Sequence, residues 1–206
     1  MIAIVDYGVG NLFSLRCSLE YIGAACEVTG SAARIAGADA VILPGVGAFG
    51  DAAQKLRASA LDRAVYAAVE AGKPLLGICL GMQMLYEKSD EYGEHKGLGL
   101  LDGNIEQLTE EKMGAALKVP HMGWNDLVFT AGDCALLRYN APGDFVYYVH
   151  SFYAPVSGQT AAYSSYGNVR LTGVAQKGNV YGTQFHPEKS GEVGLAMLRA
   201  FAELEG

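Results

Sequence analysis

One five-residue stretch, Gly77-Ile78-Cys79-Leu80-Gly81, limits the fold more tightly than any other part of the chain. The apolar run 74–78 before it reads as a short buried strand, and 80–86 after it reads as the start of a helix. No residues are left over for a loop, so the backbone has to reverse sharply at Cys79. Glycines on both sides remove the Cβ atoms that such a reversal would press together. The sulfur is then carried out above the sheet, at the first turn of a helix whose dipole and free N–H groups favour a thiolate and a developing oxyanion. Core packing alone does not ask for glycine both two residues before and two residues after a cysteine. Cys79 is therefore read as a nucleophile.

The rest of the N-terminal half repeats this strand–turn–helix grammar. Strand signals at 2–5, 26–29 and 40–43 alternate with helical periodicity at 12–22 and 51–70. Ala40-Val41-Ile42-Leu43 is apolar throughout, as strands covered on both faces are. Asp51, with Gln54 three residues on, is expected to cap one long helix running to Glu70. The alternation implies an α/β fold: an open, mostly parallel sheet with flanking helices, whose chemistry collects at the carboxyl ends of the strands. The turns after Val5, Leu43 and Ile78 all fall at that edge. From about Gly97 the pattern becomes short and turn-rich, giving a β-rich C-terminal half with clear strands at 145–150 and 180–185. A closing amphipathic helix is expected at 192–204. No repeat, low-complexity tract or linker interrupts 1–206, which reads as one domain.

Composition narrows the function classes. With 15 Lys and Arg against 22 Asp and Glu, the formal net charge is −7, so there is no electrostatic footprint for nucleic acid. No apolar run approaches the roughly 18–20 residues of a membrane span. Met1-Ile2-Ala3-Ile4-Val5-Asp6 lacks a basic leader region and reads as a first strand rather than a signal peptide. Cysteines at 17, 26, 79 and 134 show no C-x-x-C pair and no metal-like spacing with histidine. Reduced thiols in a cytoplasmic chain, with no metal and no cofactor, are the expectation; Cys17, Cys26 and Cys134 are read as small hydrophobes.

A cysteine nucleophile needs a base, and Gln184-Phe185-His186-Pro187-Glu188 offers one. Pro187 is expected to hold an extended backbone, which places the His186 and Glu188 side chains on one side. The carboxylate then takes one ring N–H and fixes the tautomer, while the other nitrogen faces the thiol, a triad in the order Cys, His, Glu. Pro44-Gly45-Val46-Gly47 admits two readings. It is a tight strand–helix turn, or it is an oxyanion hole in which a backbone N–H near Val46 or Gly47 joins that of Leu80. Two glycines around one residue also leave that peptide free to flip. Gln83 stands one helical turn after Cys79, as an ordinary helix residue or as a ligand for the polar end of a substrate. His150-Ser151-Phe152 could present backbone groups to the same ligand. His95 and His121 are placed at the surface or an interface. The turn Tyr7-Gly8-Val9-Gly10-Asn11 lacks the lysine and spacing of a phosphate loop.

Together these elements resemble the class I (triad) glutamine amidotransferases over nearly the whole chain. The finer resemblance is to the glutaminase subunits of imidazole glycerol phosphate synthases. It is carried by Asp6-Tyr7-Gly8-Val9-Gly10-Asn11-Leu12, Leu43-Pro44-Gly45-Val46-Gly47-Ala48-Phe49, Pro120-His121-Met122-Gly123-Trp124-Asn125, Tyr148-Val149-His150-Ser151-Phe152-Tyr153 and Gln184 to Ser190. The resemblance implies the flavodoxin-like fold of that family and release of ammonia from glutamine through a thioester on Cys79. It implies glutamine binding by Gly45, Gly47, Gln83, Ser151 and Phe152, and transfer of ammonia to a (β/α)8-barrel cyclase partner. Within the 120–125 segment, Pro120, His121, Met122, Trp124 and Asn125 are expected to face that partner, with Trp124 as anchor; a loop-side core Trp is the competing reading. Other triad amidotransferase subunits, a γ-glutamyl hydrolase and a non-catalytic scaffold on the same fold stay open as alternatives.

Overall fold

The computed structural model describes residues 1–130 and 132–204. In chain order the first elements are β1 (Ile2–Val5), α1 (Leu12–Tyr21), β2 (Cys26–Thr29), α2 (Ala32–Ala36), β3 (Ala40–Gly45), α3 (Phe49–Ala58), α4 (Leu61–Glu70), β4 (Leu75–Cys79) and α5 (Leu80–Leu85). The turn-rich half adds β5 (Lys88–Ser89), β6 (His95–Lys96), β7 (Asn104–Gln107), α6 (Glu110–Met113), β8 (His121–Asp126), β9 (Val128–Phe129), β10 (Phe145–His150) and β11 (Phe152–Tyr153). It closes with β12 (Thr160–Tyr166), β13 (Val169–Lys177), β14 (Val180–Thr183) and α7 (Gly191–Ala202).

Eight strands form the main sheet in the order β2-β1-β3-β4-β14-β13-β12-β9. The four pairings from β2 to β14 are parallel and the remaining three are antiparallel. Apolar residues on both faces of the parallel strands explain their unbroken hydrophobic runs. Ile2, Ile4, Ile42, Leu76 and Ile78 pack under α1 and α7 through Leu15, Leu19, Leu198 and Phe201. Ala3, Val5, Val41, Leu43 and Leu75 face the other way, toward Leu56, Val65, Met82 and Leu85. Period-two alternation splits one apolar strand between two cores. Two smaller sheets, β10-β8 and β11-β7-β5-β6, complete the described strands, and the Val149 and Phe152 carbonyls of β10 and β11 reach Cys79 at the end of β4 and Gln83 in α5. Among the described residues, no helix is long and apolar enough to cross a membrane.

The expected single helix over 51–70 is two helices. Ala60 adopts a left-handed conformation (φ 56°), so the chain turns and restarts at Leu61. Alanine gives no warning of such a break, because its left-handed form is held by packing rather than by intrinsic preference. Asp51 does not cap this helix either. Ala48 occupies the cap position without a side-chain bond, and Asp51 sits inside the first turn, where its charge still complements the helix dipole. The short helix α2, capped by Ser31 accepting from Arg34 N–H, lies where the sequence showed no periodic signal.

Candidate active site

Cys79 ends β4 with φ 54° and ψ −112°, a strained conformation for a residue with a Cβ. The flanking glycines make the turn feasible. A Cβ at Gly81 would collide with the Leu43 carbonyl oxygen, and one at Gly77 would lie 2.7 Å from the Met82 backbone. The elbow is thus pressed against neighbouring backbone on both sides. The side chain is held in place with little freedom: Cys79 is 7% exposed. Its sulfur lies 3.9 Å from the Val149 carbonyl oxygen and 4.0 Å from Gln184 Nε2.

His186 follows β14, the strand paired with β4, so parallel pairing brings residues far apart in sequence to the same edge. His186 Nδ1 and Glu188 Oε1 are 2.8 Å apart, and both side chains are 3% exposed. The contact is made differently from the extended arrangement expected. Pro187–Lys189 forms a single 3-10 turn, with Lys189 N–H donating to the His186 carbonyl. Proline suits the first position of such a turn because its φ is already set. The Ser190 hydroxyl closes the turn onto the same carbonyl. Burial pulls the His186 pKa down, but hydrogen bonds to Cys79 and Glu188, with the charges of both, outweigh it and raise the value to about 9. With Nδ1 engaged by the carboxylate, Nε2 is the nitrogen left for the thiol.

The third element comes from β3. Gly45 lies opposite Cys79 in the parallel register. A Cβ there would lie 2.7 Å from the Gly81 nitrogen, so the loop can approach the elbow only as glycine. Gly47 is left-handed (φ 92°), and Val46 is exposed between the two glycines. Beneath them the Tyr7 hydroxyl donates to the Pro44 carbonyl at 2.7 Å, and Gly10 packs against the Pro44 ring. The Tyr7–Asn11 turn is therefore a support for the Pro44–Gly47 loop.

A cavity of about 300 Å³ gathers Val46, Gly47, Cys79, Leu80, Gln83, Ser151, Phe152 and His186, all named from the sequence. Gly45 and Glu188 stand behind this first layer. Gln83 is buried, donating Nε2 to the Phe152 carbonyl at 2.8 Å and to Gln184 Oε1 at 3.1 Å, so it is not an ordinary exposed helix residue. Glu91, Pro120, Val149 and His150 also line the cavity. The sequence reading missed Glu91. It sits in a polar turn with no periodic signal, and its position is set only when the β5–β6 turn folds over α3.

Of the segment expected to face a partner, Met122 (61% exposed) and Trp124 (56%) lie open on one face of β8, and Pro120 is exposed at the cavity. That excludes the core reading of Trp124. His121 requires a correction: its side chain is 3% exposed, stacked on Tyr148 and Tyr166. Strand alternation turns His121 and Asn125 inward while Met122 and Trp124 turn outward. His95 is half-buried against Gly50, where a Cβ would meet its ring at 2.6 Å.

Comparison with known proteins agrees with this geometry. The model of the family described as glutamine amidotransferase class-I matches residues 3–203. The imidazole glycerol phosphate synthase subunit HisH of Listeria monocytogenes serotype 4b is 45% identical over 204 residues, 99% of this chain and 96% of that protein. The HisH subunit of Bacillus anthracis (strain A0248) is 49% identical over 202 residues, 98% of this chain and 93% of that one. A solved glutamine amidotransferase structure aligns with a TM-score of 0.74 at 19% identity, covering 98% of this chain and 99% of its own, a likeness of fold. The chain therefore belongs to the class I glutamine amidotransferase family, in its branch of HisH subunits of imidazole glycerol phosphate synthase.

Proposed function

We propose that this chain hydrolyses L-glutamine to glutamate and ammonia as the glutaminase subunit of imidazole glycerol phosphate synthase, and that it works in the cytoplasm. Cys79 passes its thiol proton to His186 and attacks the amide carbon of glutamine as the thiolate, and the negative charge developing on oxygen is met by backbone N–H groups of Leu80 and of the Val46–Gly47 segment. His186 gives its proton to the departing ammonia, leaving a γ-glutamyl thioester. It then takes a proton from water, which attacks the thioester and frees glutamate. Glu188 holds the imidazole in the orientation and tautomer that both steps need.

Glutamine carries an α-ammonium and an α-carboxylate beyond the reacting amide. The cavity offers the Glu91 carboxylate to the first, and the Gln83 side chain and the Ser151–Phe152 backbone as polar partners around the rest. The released ammonia passes to a (β/α)8-barrel cyclase, which combines it with a phosphoribulosyl-formimino aminoimidazole ribonucleotide to give imidazole glycerol phosphate and aminoimidazole carboxamide ribonucleotide. The outward face of β8, with Met122 and Trp124, begins beside Pro120 at the cavity and suits that docking. A partner seated there could also turn the Gly45–Val46–Gly47 peptides. Misplacing one oxyanion donor costs roughly 10²–10³ in rate, enough for a switch.

The observation that carries this reading is the strained Cys79 elbow sharing one cavity with His186, whose Nδ1 is held by Glu188. Its test is glutamate release by the chain alone, with the cyclase subunit, and with the subunit plus ribonucleotide. Activity that appears with the partner and rises with the ribonucleotide is expected. No glutamate release in any of the three would overturn it.

A further inference from the structure

Two buried imidazoles lie between the outward face of β8 and the substrate cavity, and the proposed mechanism uses neither. His150, the last residue of β10, lines the cavity beside His186. His121, the first residue of β8, pairs with it across the two-stranded sheet. The His121 ring stacks on Tyr148 and Tyr166, with centroids 4.8 Å and 4.1 Å away.

The groups at the two ends decide where the protons are. A carbonyl oxygen only accepts, so His150 Nδ1, 2.9 Å from the Phe152 oxygen, carries a proton. In a neutral ring Nε2 is then bare and accepts. His121 Nδ1 lies 3.0 Å from it and must be the donor. That leaves His121 Nε2 bare, and Asn125 Nδ2 faces it at 3.4 Å. The Asn125 amide is oriented by the Asp126 N–H, which donates to Oδ1 at 3.0 Å, while Nδ2 also donates to the Ser165 carbonyl at 2.9 Å. Every hydrogen bond in the chain runs one way: Asn125 to His121, His121 to His150, His150 to the Phe152 carbonyl. Gln83 Nε2 reaches the same carbonyl, and Gln83 is bonded in turn to Gln184, whose Nε2 lies beside the Cys79 sulfur.

Such a chain works only with neutral rings, because a proton on His150 Nε2 would face the His121 donor. Burial holds His121 down to about 4. Burial, with the charge of His121 next, holds His150 down to about 3. Both rings are neutral at neutral pH. With its two nitrogens engaged, His150 is also unable to compete with His186 as the base, although both imidazoles line one cavity.

We propose that His121 and His150 are positioning residues whose one-way hydrogen-bond chain holds the Ser151–Phe152 backbone at the glutamine cavity and ties it to the strand that carries Met122 and Trp124 on its other face. The proposal rests on the glutaminase reading of that cavity. It assigns the pair an effect on substrate binding rather than on bond breaking, since the ring nitrogens of both are engaged within the chain of hydrogen bonds.

Two substitutions separate the hydrogen bond from the ring. His121→Phe keeps an aromatic ring in the tyrosine stack and deletes the donor; His121→Gln keeps an amide donor and deletes the ring. In the complex with the cyclase subunit, H121F is expected to raise KM for glutamine about tenfold, the worth of one hydrogen bond, with kcat within about threefold of the parent. H121Q is expected to recover most of that KM. A parental KM in H121F, or an equal rise in both variants, overturns the proposal. Nitrogen-15 spectra of the histidine rings in the unaltered full chain give a reading that needs no variant. Protons on Nδ1 of both His121 and His150 are expected, and a proton on Nε2 of either ring overturns it. A parent complex that releases no glutamate would sink the glutaminase reading, and the ring spectra would still decide the direction of the chain.

Discussion

The Phe49 backbone N–H, first in α3, donates to Glu91 Oε2 at 2.7 Å. The turn after β5 is thereby fastened to the helix that directly follows the Gly45–Val46–Gly47 loop. The same carboxylate lines the cavity, so one side chain serves a helix cap and the proposed glutamine pocket. Glu91→Gln keeps an oxygen for the Phe49 N–H and removes the charge. It is expected to raise KM for glutamine by about tenfold or more, with the fold intact, as loss of a charged hydrogen bond does. Glu91→Ala should add about 1 kcal/mol of destabilisation from the lost cap. Urea unfolding beside steady-state kinetics distinguishes the two, and a parental KM for E91Q would remove the carboxylate from the pocket chemistry.

The elbow glycines differ in kind from the loop glycine. Gly81→Ala drives a methyl group into the Leu43 carbonyl, fixed backbone that cannot swing away; a loss of about 3 kcal/mol or more is expected, at the upper end of overpacking costs. Gly47→Ala meets no atom within 4 Å but sits at φ 92°, and a loss of about 1–2 kcal/mol is expected from conformation alone. Chemical denaturation of both variants orders them; an equal loss would mean that the elbow relaxes.

Glu188→Gln keeps the shape of the triad and removes the charge that helps hold His186 protonated. By analogy with carboxylate-to-amide changes in other triads, kcat should fall by about 10³-fold or more. A proton inventory by NMR should find the His186 pKa lowered in this variant. A parental kcat would exclude Glu188 from the mechanism.

Stability against pH follows from histidines shifted in opposite directions. His186 is raised to about 9, above the ordinary value of about 6.5. Its contribution is present in full below about pH 6.5 and is lost as pH climbs through about 9. His121 and His150 are lowered to about 4 and about 3. Their contribution is complete above about pH 6.5 and is lost as pH falls toward those values, at up to about 1.4 kcal/mol per pH unit for each proton. Urea midpoints measured from pH 5 to 9 should pass through a maximum near neutrality. In H121F the acid limb should be shallower and the alkaline limb unchanged; identical acid limbs would refute the assignment.

Trp124→Ala should weaken association with the cyclase subunit by about 2 kcal/mol or more, as loss of a central aromatic anchor does. The unfolding midpoint of the free chain should be unchanged, since the ring is half exposed and touches Tyr147 only edge-on, at 6.0 Å between centroids. Titration calorimetry with the isolated subunits measures the first and thermal unfolding the second.

What could be read without coordinates was whatever a short stretch decides by itself. The strands at 2–5, 26–29 and 145–150 announce themselves by apolar runs or alternation, and each forms with the same bounds. The Cys79 elbow is equally local, because glycine spacing, strand and helix all lie within a dozen residues. The break at Ala60 was invisible, since a left-handed alanine is held there by tertiary packing. Glu91 and the inward-facing His121 were hidden for a related reason. Which way a side chain points in a short strand or polar turn depends on partners far away in sequence. His186 and Glu188 were paired correctly but through the wrong backbone, as proline serves an extended segment and the start of a 3-10 turn equally well.

The parallel pairing of β4 with β14 has a consequence for the chain as it is made. The thiol leaves the ribosome more than a hundred residues ahead of its base, and the strand that docks that base is the last in chain order among the described strands. A nascent or truncated chain that ends before Val180 lacks His186 and Glu188 and the strand that closes β4 on that side. The proposed triad is thus assembled only after this long-range strand pairing has formed, which makes glutaminase activity a report that β14 has found its place beside β4.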